Sequence, residues 1–455
     1  MHAIGITKSG EEIRFDAVDR VIDCNCNRDW NGYWPSLISL ELFDCEELIE
    51  LDCSDSYGLT ELDVSNCPKL EKLLCYSNEL TTLDLSNNKK LKYFAANWNK
   101  LTSLDLSHCK ELKELSCSND TLTSFNISNC KKLERLYWGS DEITSIDISH
   151  CKKLKKLDCF FDKITSLNLT NCKQLKELHF HTNKLTELDL SQCKELKEVY
   201  LGRMELTELD LSNLPKLKKV FIWDMKLLET IDFSNCEKLI DLDCDNNPKL
   251  TTIKLENCNE LAELGFENNP KLTIPNLANY EKIRWLEYKN KVLTKLDLSQ
   301  FTGLKGLFCN DNQLTTIDLS PCKELEILWI HNNKLTSLDV SVCKKLKGLD
   351  CHNNQLTELD LSKNKKLQYF LSCEKNQLTE LDLSNNKKLN RLYCDNNQLN
   401  TLNLENCKGL ELLKCQGNKL TELDITNCEE LNLEDIKCDE NVKIINKEKI
   451  KCLNF

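Results

Sequence analysis

The stretch LTELDLSKNKKLQYFLSCEKNQLTELDLSNNKKLNRLYCDNNQLN, Leu356 to Asn400, states one phrase twice and begins it a third time. Marking the first apolar residue of each phrase as position 1 places it at Leu37, Leu59, Leu80, Leu101, Leu122, Ile143, Ile164, Leu185, Leu206, Leu228, Leu250, Leu272, Leu293, Leu314, Leu335, Leu356, Leu378, Leu399 and Leu420. That makes nineteen units with a spacing of about 21–22 residues. A fixed period of this length signals a solenoid, in which each coil contacts only its neighbours. The chain has 455 residues, which would otherwise suggest several globular domains. The repeat overrides that prior, and one elongated array is expected.

The unit Leu59–Glu79, LTELDVSNCPKLEKLLCYSNE, shows the internal logic. Its landmarks Leu59, Leu62, Val64, Cys67, Leu70, Leu73, Cys75 and Asn78 fall at positions 1, 4, 6, 9, 12, 15, 17 and 20. The second four repeat the first four, shifted by eleven. Each half reads LxxLxLxx(N/C), and its LxL pair has the period of a strand, with both side chains on one face. Ten or eleven residues per half leave no room for a stable helix. The coil should therefore be mostly strand and turn, with parallel strands and little helix. The LxLxC half is expected to supply the main concave strand, and the LDLS half a short flank. Leu188 is expected in the core as the position-4 residue of its coil. Asn at position 20 (Asn78, Asn99, Asn183, Asn247, Asn333 and others) should satisfy buried turn backbone, which cannot be left unpaired.

Twenty-seven cysteines suggest bridges or metal, but their register argues otherwise. Position 17 takes Cys or a large apolar residue such as Trp138, Phe180 or Phe266; position 9 takes Cys, Asn or Leu214. A site that accepts either is a core site, where a thiol acts as a small hydrophobe. The ladder should therefore hold reduced thiols. Only Cys24 and Cys26 resemble a ligand pair, and weakly, so no metal and no cofactor is expected. Position 5 is an outward aspartate ladder (Asp63, Asp84, Asp105 and others) whose repulsion needs an answer. Lysines at positions 10, 11 and 13, Ser86-type hydroxyls and turn N–H groups are candidates; a file of calcium ions is the alternative.

These residues resemble the leucine-rich repeat proteins, in particular the internalin-like class with short nested half-repeats and a cysteine ladder. The resemblance runs from Leu37 to about residue 440. It implies a leucine-rich-repeat solenoid of about 19 coils, each of about 21–22 residues. It also implies a non-enzymatic scaffold for protein–protein interaction through the solenoid face. Glycan binding or adhesion at a bacterial surface, and a purely structural repeat protein, are the alternatives it leaves open. On this reading residues 1–36 form an amino-terminal cap, with a hairpin around Ser9-Gly10. Residues 37–440 form the solenoid, with an irregular coil at 266–292, and residues 441–455 a carboxy-terminal cap.

Variation within so regular a chain marks where function can lie. Position 16 should face outward between two core residues. There Tyr137, His179, Tyr200 and Phe221 turn aromatic, joined at positions 18 and 19 by Phe160, Phe161 and Trp223. Contiguous outward aromatics make a recognition surface, and these seven residues are the expected binding site. Trp98 and Phe161, near turns, could instead tuck against the next coil. Met204 and Met225 replace the Asn ladder in the same region, which implies a local change of shape.

The remaining signals exclude classes. A net charge of −13 opposes a general nucleic-acid binder. No apolar run is long enough to span a membrane. The seven histidines are scattered along the chain, and no nucleophile-elbow, zinc-protease, phosphate-loop or dinucleotide motif occurs, so no catalytic residue is assigned. A protein partner is expected first and a glycan second, bound by a monomer. The start, MHAIGITKSGEEIRF, lacks the apolar core of a secretory signal. The compartment is therefore open: cytoplasmic, or reached by an unrecognised export route.

Overall fold

The computed structural model describes residues 1–24, 36–118, 121–140, 142–182, 184–273, 280–289 and 292–446, without the side chains of 161, 162 and 182. They form two units, residues 1–239 with 247–258, and residues 240–246 with 259–455.

In the first unit the LxLxC halves build the main sheet. Its strands run Val21–Asp23, Glu50–Asp52, Lys72–Leu74, Tyr93–Ala95, Glu114–Ser118, Arg135–Gly139, Lys156–Asp162, Glu177–Thr182, Glu198–Gly202 and Lys219–Trp223. Each pairs in parallel with the next, apolar residue beside apolar residue at position 15. In the second unit Asp241–Asp245, Glu263–Gly265, Trp285–Glu287, Gly306–Phe308, Ile327–Trp329, Gly348–Asp350, Phe370–Ser372, Arg391–Tyr393, Leu412–Lys414 and Ile436–Lys437 repeat the scheme. The LDLS halves make only short flanking strands, such as Glu208–Asp210, Thr230–Asp232 and Thr252–Lys254. Among the described residues the one helical element is the 3-10 turn Leu433–Asp435. The main strand is thus the half that the sequence pattern favours.

Leucines at positions 1, 12 and 15 fill the core, as Leu59, Leu70 and Leu73 do with no exposure. Trp138, Phe180 and Phe266 are equally buried at position 17. The flank is looser: Leu188 is only half-buried and lines a shallow groove of about 910 Å³ with Leu167, Asp189 and Asp210. No flanking strand forms over residues 185–190, whereas Leu209, Ile231 and Leu381, each central in a three-residue flanking strand, are buried, so the expectation of a core Leu188 fails.

The asparagine ladder holds coil to coil. Asn333 Nδ2 donates to the carbonyls of Cys309, Ile330 and His331 at 3.1, 3.0 and 3.2 Å, and its Oδ1 accepts from Leu314 N–H at 2.9 Å. Cys309 belongs to the preceding coil. Asn78, Asn99, Asn312, Asn354 and Asn397 repeat the pattern, and so does Asn376, which one extra residue in its coil shifts out of the regular count. Asn183 lies outside the described residues. The residue before the ladder Asn sits in the left-handed region at Ser77, Trp98, Asp311, Asn332, Asn353 and Asn396. Asn and Asp tolerate that conformation better than most residues, which explains the doubled Asn of DNNQL.

The thiols at position 9 do more than fill space. Cys130 Sγ lies 3.5 Å from Leu106 O and 3.7 Å from Cys109 O. Where Asn replaces Cys, Asn88 Nδ2 donates to the equivalent carbonyls of Val64 and Cys67, both at 3.0 Å. Position 9 faces the carbonyls of the preceding turn, which suits Cys and Asn as donors, while Leu214 and Phe301 fill the same place without donating. Burial pushes the Cys67, Cys109 and Cys130 thiols up to about 12.

The aspartate ladder is answered locally. Ser65 N–H donates to Asp63 Oδ1 at 2.8 Å, and Ser86, Ser107 and Ser320 do the same for Asp84, Asp105 and Asp318. The hydroxyl and N–H of Ser65 hold the Asp63 carboxyl below its ordinary range. The lysines mostly serve elsewhere: they pair with glutamates one coil away, as Lys92–Glu71 at 2.7 Å and Lys216–Glu195 and Lys347–Glu326 at 2.6 Å. Lys254, 2.9 Å from Asp232, is an exception.

At the amino terminus His2–Thr7 and Glu12–Asp16 form the expected antiparallel hairpin, with Gly10 at φ +84° in its turn. His2–Thr7 also pairs antiparallel with Leu37–Phe43, so an unlike strand covers the first coil's edge. Cys26 lies outside the described residues. In the irregular coil Trp285–Glu287 keeps full register with both neighbours. Ile283, Tyr280 and Tyr288 are buried there, and Tyr288 Oη donates to Leu272 O at 3.1 Å. At the other end Lys443–Ile445 pairs in parallel with Glu422–Asp424; residues 447–455 lie outside the described ones.

Candidate functional site

The strip residues are strand neighbours. Parallel register sets Ser116, Tyr137, Asp158, His179, Tyr200 and Phe221 side by side on successive strands of the first unit. Position 16 lies between buried positions 15 and 17, so these side chains stand on the outer face of the sheet. The strands here run five to seven residues, against three in most other coils. In two of these coils Met204 and Met225 are buried where other coils place the ladder Asn. Met204 N–H meets Met225 Sδ at 3.3 Å, and Met225 N–H donates to Asn247 Oδ1 at 3.0 Å. The longer strands carry position 18 onto the same face, which brings Phe160, His181 and Trp223 beside the column.

The rings pack in two groups. Tyr200 and Phe221 stack at 4.8 Å and 11°, and His179 meets Tyr200 edge-on at 4.5 Å. His181 lies 4.4 Å from Trp223 and 5.9 Å from Phe160. Trp223 lies across Gly202, where a Cβ would come within 2.5 Å of its indole. Phe160 is 38% exposed, and the other described rings are half-buried. The backbone of Phe161 lies in the strand Lys156–Asp162, where pairing slips by a bulge; its side chain lies outside the described set. Trp98 does not tuck against a neighbour: it is 71% exposed, at a turn with φ +52°.

A polar centre lies between Tyr137 and His179. Asp158 is buried, and its Oδ2 lies 3.1 Å from His179 Nδ1. Lys156 Nζ sits 5.5 Å from the Tyr137 ring centre and 3.0 Å from Glu177. Burial lowers the Lys156 ammonium, but Glu177, Tyr137 and Asp158 together raise it above its ordinary value. A hollow of about 260 Å³ lies there, lined by Arg135, Tyr137, Lys155, Lys156, Lys176 and Glu177. Burial first, and then the Arg203 charge, push His181 below the usual imidazole value, which keeps it neutral near pH 7. The face thus offers flat aromatic area next to a cation-rimmed hollow. Sequence reading finds the column and the position-18 residues beside it, but does not count His181, which lies between Phe160 and Trp223, among the site residues.

Parallel coils, a leucine core and a buried cysteine ladder define a leucine-rich-repeat β-solenoid, a fold typical of scaffolds that bind proteins and other ligands. The family description "Leucine Rich repeats (2 copies)" matches residues 302–342. No curated protein matches the sequence. Among solved structures, the functional domain of InlJ from Listeria monocytogenes, which includes a cysteine ladder, is 28% identical. The match covers 89% of this chain and 74% of that one, with a TM-score of 0.46. YopM from Yersinia enterocolitica is 21% identical over 91% of this chain and 90% of that one, with a TM-score of 0.62. Toll from Drosophila, in its complex with Spätzle, is 15% identical over 87% of this chain and 54% of that one, with a TM-score of 0.55. No helix of the described residues is long and apolar enough to cross a membrane.

Proposed function

We propose that this chain is a non-enzymatic binding scaffold, and that a protein partner docks on the strip Tyr137, Phe160, Phe161, His179, Tyr200, Phe221 and Trp223. One observation carries the reading: the rings of His179, Tyr200 and Phe221, and of Phe160, His181 and Trp223, pack against one another on rigid neighbouring strands. Rings held in this way lose little entropy on binding, and aromatic anchors supply most of the energy of many interfaces. The hollow beside Tyr137 suits an acidic side chain of the partner at the rim.

The test is capture from a native extract with the wild type and with a Tyr200→Ala, Phe221→Ala double variant. Each substitution removes half-buried ring stacking, so a stability loss of about 1–2 kcal/mol is expected without unfolding. Affinity should fall by about tenfold or more. Equal recovery of every partner by a folded double variant refutes the strip as the site. If the wild type captures no protein but binds on a glycan array, the protein reading fails and the sugar reading replaces it.

A further inference from the structure

We propose that His331, Asp350 and His352, in the second unit, form a binding site for one divalent transition-metal cation, with Zn²⁺ the best match. The histidines stand one full repeat apart and look unrelated along the chain. The repeat places both at position 18 of successive coils. Asp350, at position 16, lies two residues before His352 on the same strand face. The strands Ile327–Trp329 and Gly348–Asp350 pair in parallel, with Trp329 opposite Asp350. One ligand atom from each of the three residues lies within 4.8 Å of the others.

The chemistry of the set is specific. Two imidazoles and a carboxylate are donors that zinc and its neighbours in the first transition row prefer, whereas calcium and magnesium take oxygen. His352 Nδ1 is 2.6 Å from Asp350 Oδ1. His331 Nδ1 is buried, 3.3 Å from Asp350 Oδ2, and has no hydrogen-bond partner. A buried ring nitrogen without a partner, facing a carboxylate, costs stability unless something else uses it. The two rings lie face to face at 4.4 Å and 10°. Rotation of one ring aims both lone pairs at a common point, and side chains that are 15% and 25% exposed have room for it. Glu374 Oε1, 3.9 Å from His352 Nδ1, stands by as a fourth ligand, and its other oxygen accepts from Ser372 Oγ at 2.8 Å. Asp311 Oδ2, 3.9 Å from His331 Nε2, can orient that ring from the far side, as carboxylates behind metal-bound histidines do. An ion held here ties two coils together across the sheet face.

The experiment uses the full chain, stripped with chelator and kept reduced. Zn²⁺ titrated by calorimetry should bind with a stoichiometry of one. Co²⁺ should give weak visible d–d bands without thiolate charge transfer, which distinguishes this site from the many cysteines. A His331→Ala, His352→Ala double variant should bind at least about tenfold more weakly while keeping its circular dichroism. No binding by the wild type overturns the proposal, as does a thiolate band or undiminished binding in the folded double variant. If the double variant misfolds, proton NMR of the Co²⁺-loaded wild type decides: paramagnetically shifted resonances from two imidazoles support the site, and their absence overturns it.

Discussion

Raising the pH from about 8 to about 10 should destabilise this protein through its core rather than its surface. In an unfolded chain a thiol ionises near pH 8.5–9. In the fold, burial pushes Cys67, Cys109, Cys130, Cys193, Cys343 and Cys407 up to about 12, and Cys172 and Cys322 to about 11. Cys75, Cys117 and Cys309 are raised further, by burial. The sign follows from linkage. Above about pH 9 the unfolded state holds fewer protons than the folded one, so stability falls as pH rises. Stability is fully present below the unfolded thiol value and erodes between about pH 9 and about pH 12. Each buried thiol that ionises only on unfolding removes about 1.4 kcal/mol at pH 10. The coil Leu59–Glu79 carries two, Cys67 and Cys75, and so loses about 3 kcal/mol. Repeat stability is a sum over coils and interfaces, so the effect recurs along the stack. The assay is urea unfolding by circular dichroism across this pH range, with thiolate ultraviolet absorbance read in parallel. The native protein should show little thiolate at pH 10, and its midpoint should drop steeply. Strong thiolate absorbance with intact dichroism, or a flat midpoint, refutes the reasoning.

Asn333→Ala removes three bonds to carbonyls that keep Asn312, Asn354 and the Asp311 N–H as donors, takes the Leu314 N–H partner away in a buried turn, and should cost about 2–4 kcal/mol by urea titration; a loss under about 1 kcal/mol would show the ladder to be incidental. Alkylation under denaturing, non-reducing conditions should label at least about twenty thiols by mass spectrometry, because core thiols become reactive once unfolded; far fewer would mean bridges. Trp98→Asn should stabilise by about 0.5–1 kcal/mol, since Asn takes the left-handed conformation at lower cost and Trp98 is largely exposed; a lower melting midpoint would show that the indole packs in solution.

Much of this was legible because a repeat reports its own register. The core leucines at position 15, the LxLxC strand, the Asn turn and the outward column all follow from period and alternation. Two of the failures share one cause, which is that neighbours in space are a full repeat apart in sequence. Read along the line, His331 and His352 are scattered histidines; read in columns, they adjoin Asp350. The Lys–Glu rungs hide in the same way: Lys92 is near Asp84 in sequence but pairs with Glu71, a full repeat back. Leu188 is hidden for a different reason: apolar alternation shows which face a residue points to, but not whether its flank forms a strand, and none forms over residues 185–190. The exposure of Trp98 was likewise hidden, although its place before a ladder Asn, where the other coils mostly use Asn, Asp or Ser, was the available signal.

The asparagine ladder also makes the length of this chain adjustable in whole coils. Asn354 donates to Ile330 O of the coil before it, and Asn376 donates to Cys351 O in the same relation. If residues 335–355 were excised, Asn376 would meet Ile330 O in place of Cys351 O, and the core column would close with Leu against Leu. Loss or duplication of one full period leaves every junction chemically matched, while a slip of one residue would turn each strand inside out. Such a gene can lengthen or shorten by recombination between its own near-identical segments. Most of those products would fold, and selection could then act on the few outward columns that differ.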